Sequence, residues 1–258
     1  MAKYISLSFD DGRWDTYCNV LPIMEKHDFK ITVNVITDFI EHPMNYHLSC
    51  CRNGAMTVDN LLECAELGHE LAAQGATHQN STDDVISCIS RMKQWGFDVE
   101  NIGFASPHSY LTPNNADQIS ALVNEGIIKY IRSGIQTRRL GLIYAGLTWF
   151  ERKTHSKRLF WWLNKRCVLN PNRSSFILSI TVTASTTVEQ LMYVIERMRN
   201  EQAVVFNFHS ILRLGEPGYG EGTWYWDADR LDSFCERIRQ NHQLNVVRTI
   251  ELVRENHC

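Results

Sequence analysis

The chain has 258 residues, of which 44% are hydrophobic and 21% charged, and its formal net charge is -3. These values are typical of a globular protein with one large or two small domains, and they exclude a nucleic-acid binder that relies on bulk positive charge. No apolar run reaches the roughly 18 residues of a membrane-spanning helix, so we expect no membrane span.

The start of the chain and its cysteines bear on the compartment. The first apolar segment begins at Tyr4, which leaves no room for a signal peptide, so the sequence predicts a cytoplasmic protein. The eight cysteines fit this expectation as free thiols in a reducing environment. The chain has no Cys-x-x-Cys pair, which argues against a zinc site built from cysteines.

Predicted strands and helices alternate from one end of the chain to the other. Apolar and β-branched runs predict strands at 4–9, 31–36, 70–73, 102–105, 127–131, 176–182, 204–208 and 244–247. Helical spacing of apolar residues predicts helices at 15–27, 57–67, 82–95, 114–125, 187–198, 227–240 and from 249 onward. Thr57 is the expected cap of the second of these helices, and Gly68 its stop. Residues 41–56 form a polar insertion, and residues 135–175 an irregular, aromatic and basic one.

This alternation indicates parallel strands covered by helices. Because about seven such units follow one another without a Pro/Gly-rich linker, we predict one α/β domain over residues 1–258. The expected fold is a distorted parallel (β/α) barrel of about seven strands. A doubly wound open sheet is the alternative, but the sequence has no glycine-rich dinucleotide turn to support it.

Two adjacent carboxylates, Asp10 and Asp11, follow the first strand and precede Gly12. Neighbouring like charges need a cation, a proton or separate partners. A metal ion bound by one carboxylate, with the other free to move protons, would satisfy this need. A solvated Asp-Gly turn is the alternative interpretation.

Further polar residues and one proline follow later strands, and in a β/α barrel these positions share the active-site face. They are Gln74, His78, Pro107, His108, Arg132 and His209. Each one by itself is explained equally well by a surface loop or a backbone hydrogen bond. Carboxylates and imidazoles that follow successive strands are together the parts of a metal-dependent hydrolase.

Four segments resemble the motifs of the polysaccharide deacetylases, the NodB-homology group of carbohydrate esterases. In family order they are Leu7-Ser8-Phe9-Asp10-Asp11-Gly12, Gly68-His69-Glu70-Leu71 with Thr77-His78, Phe104-Ala105-Ser106-Pro107-His108, and Phe206-Asn207-Phe208-His209. The resemblance implies a NodB-type barrel. It also implies a metal-dependent hydrolase that removes the N-acetyl group from an amino sugar of a surface-polysaccharide precursor or oligosaccharide.

The resemblance also implies roles for single residues. Asp11, His78 and Gln74 would hold a divalent metal, zinc being the first expectation. Asp10 would be the general base and His209 the general acid, while the backbone N–H of His108 would help to bind the oxyanion. Zinc lowers the pKa of a bound water to about 7, so a carboxylate can complete its deprotonation at neutral pH.

The chain departs from the family pattern at several positions. Gln74 stands where the family has the first histidine of His-x-x-x-His, and a neutral carboxamide is a poorer zinc donor. Ala105 stands where many members have an arginine, whose charge Arg132 could supply from the next strand. Asn207 replaces the leucine of the last motif, and no Asp/Trp motif precedes it.

Aromatic residues near His209 are the expected sugar contacts, since aromatic faces stack on sugar rings. Trp224 and Trp226 follow the glycine-rich loop that contains Tyr219. We expect these three residues to bind substrate together with Pro107, His108 and Arg132, and core packing is the alternative. The partner would be an N-acetylated carbohydrate.

Two further functions remain open at this point. One is a binding protein on the same fold, inactive because Gln74 weakens the metal site. The other is a different amide hydrolase, such as a deformylase or a cyclic-amide hydrolase.

Overall fold

Parallel strands form the wall of a closed barrel in the computed structural model, which describes residues 2–135 and 141–253. The barrel strands are β1 (Lys3–Phe9), β2 (Thr32–Val35), β3 (Glu70–Ala73), β4 (Phe104–Ala105), β5 (Ile131–Gly134), β6 (Phe176–Thr181) and β7 (Ala203–Phe208). Each strand pairs with the next, and β7 pairs with β1 from Tyr4↔Ala203 to Phe9↔Phe208. The predicted distorted β/α barrel of about seven strands is confirmed.

Three shorter strands lie outside this wall. β8 (Ser210–Leu212) and β9 (Tyr225–Asp227) pair in parallel beside the end of β7, and β10 (Leu244–Val246) pairs with the first residues of β1. The barrel is irregular because β4 has only two residues and because one edge of β1 is shared between β10 and β2.

Helices connect the strands and cover the outside of the barrel. They are α1 (Leu21–His27), α2 (Thr37–Glu41), α3 (Val58–Glu66), α4 (Thr82–Gln94), α5 (Pro113–Asn124), α6 (Gly141–Thr154), α7 (Lys157–Asn164), α8 (Val188–Arg197) and α9 (Ala228–Arg239). A π-helical turn, Thr16–Val20, precedes α1. Thr57 caps α3 as predicted by accepting the N–H of Asn60, and Gly68 follows the helix with a φ of +84°.

Strand alternation sorts the side chains into an outer and an inner layer. In β1, Ile5 and Leu7 are fully buried against the apolar faces of the helices. The intervening Ser6 and Ser8 belong to the inner layer, where Ser6 bonds to Thr249 and Ser8 accepts from Asn34. A small apolar cluster fills the remaining interior with Ala72, Tyr130, Ile177, Ala203, Val205, Leu252 and Val253.

A buried carboxylate attaches the C-terminal turn, Thr249–Leu252, to the amino ends of the strands. Glu70 accepts hydrogen bonds from the hydroxyls of Thr32 and Tyr130, each at 2.7 Å, and from the N–H of Ile250 at 3.0 Å. Burial raises the pKa of Glu70, although these bonds act against the shift. The turn covers this end of the barrel, so the opposite end, where the strands finish, remains for a site.

Two sequence-based expectations need correction, and two strands were missed. The segment 135–175, predicted to be irregular, contains α6 and α7 (its residues 136–140 lie outside the described part). The strand predicted at 127–131 lies at Ile131–Gly134, because residues 125–130 form a turn around Gly126. β8 and β9 were not predicted, since their pairing depends on contacts between segments distant in sequence.

No helix among the described residues is long and apolar enough to cross a membrane.

Candidate active site

In each barrel strand every second side chain faces the interior, and these side chains form an inward-facing row. The row continues past the end of the strand and includes the site residues. Asp10 follows Ser6 and Ser8 in the row of β1, and His209 follows Asn207 in the row of β7. Gln74 likewise follows the inner residue Ala72 of β3. Because these positions differ by two residues along each strand, they face the same interior, and the polar side chains meet at the carboxyl ends.

Asp10 is 1% exposed and has polar partners on three sides. Its Oδ1 accepts from Nδ2 of Asn34 at 2.8 Å and from Nη2 of Arg132 at 2.5 Å. Its Oδ2 lies 3.8 Å from Nε2 of His209. Two neighbours therefore hold Asp10 in place through Oδ1, while Oδ2 faces His209 and is available for proton transfer.

Asp11 lies against Gln74 and His78. Its backbone N–H donates to Oε1 of Gln74 at 2.8 Å, and its Oδ1 accepts from Nε2 of the same amide at 3.1 Å. Nε2 of His78 lies 3.8 Å from Oδ1 of Asp11 and 3.4 Å from Nε2 of Gln74. The structure thus brings the three predicted ligand residues together, with the NH₂ group of Gln74 between the other two.

Arg13 contributes a positive charge that the sequence analysis did not single out. Its side chain is 2% exposed, and Nε and Nη2 both donate to Oδ2 of Asp11, at 2.8 and 2.6 Å. Nη1 donates to the carbonyl of Ser49 and to the hydroxyl of Ser210, each at 2.8 Å. This guanidinium is therefore fixed by three separate segments of the chain.

Burial and charge shift the titration of the site in opposite directions. Burial raises the pKa of Asp11, but Arg13, His209 and His78 outweigh this effect and bring it to about 2. Burial lowers the pKa of His78 and His209 below the usual value, and the neighbouring carboxylates compensate only in part. At neutral pH both imidazoles are therefore neutral while Asp11 is charged.

Three site residues have left-handed backbone conformations. Asp11, His78 and His108 have φ values of +77°, +63° and +57°. Such conformations are unfavourable for residues other than glycine and are found where the surrounding structure fixes them, often at functional sites. At Asp11 this geometry turns the chain sharply after β1, so that Arg13 returns onto the Asp11 carboxylate.

A cavity of about 770 Å³ opens beside these residues. Asp11, Arg13, His78 and His209 form one part of its lining. Tyr144 and Glu151 of α6, together with Phe160 of α7, form another part. Burial raises the pKa of Glu151, whose Oε1 accepts from Nε2 of Gln190. The helices at 135–175 therefore help to shape the pocket, which is large enough for a sugar-sized ligand.

Two of the predicted substrate-binding residues lie at this cavity. The ring of His108 lies 4.5 Å from that of His78, and the indole of Trp224 lies 4.8 Å from the ring of His209, measured between centroids. Trp224 is 40% exposed, so its face is accessible to a ligand. Pro107 is buried and precedes His108 in a short turn, where its carbonyl accepts from Asn80.

Pro107 and the other three expected substrate contacts do not line the described cavity. Arg132 is fully buried behind Asp10. Tyr219 donates to Asp227 at 3.0 Å. Trp226 is 1% exposed, packs against Phe208 and donates its indole N–H to the carbonyl of Thr186. Trp226 is therefore a core residue and Arg132 a partner of Asp10, which corrects the expectation that they contact substrate.

Residues 1–121 match the sequence model of a family described as polysaccharide deacetylase. The resemblance to the polysaccharide deacetylases is confirmed. The match covers the segments with Asp10, Asp11, Gln74, His78 and His108. It supports a hydrolase that acts on N-acetyl groups of a carbohydrate.

Solved structures of similar proteins cover nearly the whole chain. A family 4 acetyl xylan esterase from Clostridium thermocellum, in complex with a cobalt ion, shows 15% identity over 96% of this chain and 89% of its own, with a TM-score of 0.52. The peptidoglycan deacetylase PdaC from Bacillus subtilis shows 12% identity over 97% and 90%, with a TM-score of 0.50. A mutant CE4 family pseudoenzyme with restored enzymatic activity shows 12% identity over 98% and 68%, with a TM-score of 0.53. These likenesses establish a common fold.

No curated protein sequence matches this chain significantly.

The donor set does not fit the divalent metal that the family resemblance implies. Among the residues that the structure describes, no group of three or more His, Cys, Asp or Glu side chains could hold a metal ion. Asp11 and His78 are suitable donors, but the third position presents the N–H groups of Gln74, because its carbonyl oxygen is already bound to the N–H of Asp11. Arg13 occupies the other oxygen of Asp11. We therefore assign no step to a metal.

Arg13 and the wall formed by α6 and α7 are what the sequence analysis missed. Arg13 follows Asp11 by two residues, and that proximity was the available signal. No comparable signal in the sequence places Glu151 at the cavity, since its position there depends on how the segment 135–175 folds back onto the barrel.

Proposed function

We propose that this protein hydrolyses the N-acetyl amide of an amino sugar within a surface-polysaccharide precursor or oligosaccharide. The observation that carries the proposal is the pair formed by Asp10 and His209, with 3.8 Å between Oδ2 and Nε2. His209 is the member of the pair that lines the cavity. Asn34 and Arg132 hold Asp10 in a fixed orientation through Oδ1. A carboxylate beside an imidazole is suited to move a proton from water to a departing nitrogen.

The reaction follows from these positions. A water molecule in the cavity gives its proton to the Asp10–His209 pair as its oxygen attacks the acetyl carbonyl. The tetrahedral intermediate then collapses, the C–N bond breaks, and the pair returns the proton to the nitrogen. Acetate and the free amine leave. Burial lowers the pKa of His209, so its imidazole rests in the neutral form that can accept this proton.

Other features support a carbohydrate as the substrate. Trp224 presents an accessible indole face next to His209, and aromatic faces stack on sugar rings. Tyr144, Thr148 and Glu151 add hydroxyl and carboxylate groups along the cavity, which can bond to sugar hydroxyls. The cysteines that the structure describes are free thiols, which supports a reducing compartment such as the cytoplasm.

A second candidate function is carbohydrate binding without hydrolysis. It is favoured by one observation, the occupation of both oxygens of Asp11 by Arg13 and Gln74. One solved structure with this fold is described as a pseudoenzyme whose mutant regained activity, so loss of activity on this fold is a realistic outcome.

Acetate release separates the two functions. The wild-type protein should release acetate from a panel of N-acetylated oligosaccharides, and Asp10→Asn should not, while both bind the substrate. Binding without acetate release from any member of the panel would favour the binding protein. Release of formate from N-formyl substrates, without acetate release from N-acetyl ones, would instead indicate a deformylase.

A further inference from the structure

Arg13 occupies a position from which it controls the charge of Asp11. It follows Gly12, whose φ of +71° is in the left-handed region, where a Cβ would lie 2.9 Å from Cδ1 of Ile40. Only glycine fits there without displacing Ile40, and the resulting turn brings the guanidinium of Arg13 onto Oδ2 of Asp11. The resulting ion pair is almost completely shielded from solvent, since both side chains are 2% exposed.

The guanidinium has little freedom to leave this position. Four of its five N–H groups have acceptors among the described residues, two on Asp11, one on Ser49 and one on Ser210. Asp15 lies close by, because the hydroxyl of Ser210 also donates to it at 3.0 Å. Moving Arg13 away would leave the carboxylates of Asp11 and Asp15 buried without a cation, which is strongly unfavourable.

The amide of Gln74 has a fixed orientation as well. Its oxygen accepts the N–H of Asp11 at 2.8 Å, so its NH₂ group must face Oδ1 of Asp11 and Nε2 of His78. These two atoms are the pair that a metal ion would join. The NH₂ group bridges them instead, with N···O and N···N distances of 3.1 and 3.4 Å.

We propose that Gln74 and Arg13 together replace the divalent metal ion in this protein. The NH₂ group of Gln74 joins Asp11 to His78, and the guanidinium of Arg13 supplies the positive charge at the cavity. A divalent cation added to this arrangement would meet N–H hydrogens at one side of Asp11 and a full positive charge at the other. The site therefore excludes a metal ion by its own side chains, and it does not merely bind one weakly.

The part that Arg13 plays in catalysis rests on the proposed function. Hydrolysis of an amide develops negative charge on the carbonyl oxygen, and a fixed positive group beside that oxygen stabilises the transition state. Arg13 lines the cavity, and one N–H of its Nη2 has no acceptor among the described residues. That hydrogen is available to the carbonyl oxygen of a bound N-acetyl group.

Metal titration tests the replacement independently of activity. Purified wild-type protein is titrated with Zn²⁺ by calorimetry and with Co²⁺ by visible absorption, beside Gln74→His, Arg13→Met and Gln74→His/Arg13→Met. Arg52→Met is the matched control, because it removes an exposed arginine whose ion-pair partner is Glu221 and not Asp11. Circular dichroism shows which variants are folded.

The wild type, Arg52→Met and Arg13→Met should bind no stoichiometric metal. Gln74→His should bind weakly, because Arg13 still holds Asp11, and the double variant should bind one equivalent with a tetrahedral Co²⁺ spectrum. One equivalent bound by the wild type would overturn the proposal. If Gln74→His alone bound metal as tightly as the double variant, Arg13 would have no part in excluding the metal. If the double variant does not fold, the wild type and Gln74→His still decide, since tight binding by either contradicts the proposal.

Failure of the proposed function would give a different experimental result from failure of the metal replacement. A wild type that excludes metal but releases no acetate supports the replacement and rejects the deacetylase.

Discussion

Arg132 and Asp10 form an ion pair across the barrel, with Nη2 of Arg132 2.5 Å from Oδ1 of Asp10. Arg132 belongs to β5 and Asp10 follows β1, so the pair joins two strands that are not neighbours in the sheet. Arg132 is fully buried and Asp10 is 1% exposed. Arg132 thus supplies the positive charge beside Asp10 from β5, the strand that pairs with β4 at Ala105.

We expect Arg132→Met to destabilise the fold, because it leaves the Asp10 carboxylate buried without its cation. Breaking a buried ion pair at one partner typically lowers the free energy of unfolding by about 3–5 kcal/mol. Chemical denaturation measures this change. The double variant Asp10→Asn/Arg132→Met should recover part of the loss, and a single variant as stable as the wild type would show that the pair does not neutralise Asp10.

Substitution of the proton-transfer pair should remove activity and leave binding intact. Asp10→Asn and His209→Ala should each lower kcat by about 10²–10⁴-fold, the usual contribution of a general acid–base group. The double variant should be little worse than either single one, because both residues move the same proton. His242→Ala, a change at an exposed histidine, is the control. Calorimetry measures the affinity of each variant for substrate. A substrate affinity that fell by the same factor as kcat would contradict the assignment.

The stability of the protein should decrease as the pH rises from about 4 to about 6. Burial raises the pKa of Asp15 to about 6, although Arg13 and hydrogen bonds from Ile211 and Ser210 oppose the shift. In this range the folded state holds a proton that the unfolded chain, with an ordinary aspartate pKa of about 3.9, has lost. Each pKa unit corresponds to about 1.4 kcal/mol, so the decrease is on the order of 3 kcal/mol.

Denaturation at several pH values measures this dependence. Asp15→Asn should remove it, because an amide does not titrate. A wild type whose free energy of unfolding increases over the same range would show that Asp15 is charged in the folded state throughout.

Trp224 and Trp226 should respond differently to the same substitution. Trp226 is 1% exposed and Trp224 is 40% exposed. Trp226→Ala should lower the free energy of unfolding by about 3–5 kcal/mol through the cavity it leaves. Trp224→Ala should leave stability nearly unchanged and weaken carbohydrate binding by about 0.5–1.5 kcal/mol, the usual value of an aromatic stacking contact. If Trp224→Ala bound substrate as tightly as the wild type, the stacking role would be wrong.

The fold and the meeting point of the site residues could be predicted because both follow from local patterns. Alternation within each strand fixes which side chains face the barrel interior. The parallel arrangement brings the ends of all strands to one face. Asp10, Asp11, Gln74, His78 and His209 are each one step past a strand or in the loop after it, so their proximity is a consequence of the strand pattern.

The contacts across the barrel could not be predicted in the same way. Trp224 and Trp226 are two residues apart in the same aromatic run, yet one lies at the cavity and the other in the core. Helices α6 and α7 contribute to the cavity. The apolar residues of α6 show only weak helical spacing, and α7 is only eight residues long. In both cases the position depends on how a segment packs against distant ones.

The sequence by itself determined the order of the seven barrel strands, the barrel, and the set of polar residues at its carboxyl ends. Tertiary structure alone decided what those residues do to one another. Gln74 turns its NH₂ group toward His78 because its oxygen is bound to the N–H of Asp11, and Arg13 reaches Asp11 because of the turn at Gly12. Hydrogen-bond direction and burial, which control charge in a site, are properties of the folded arrangement.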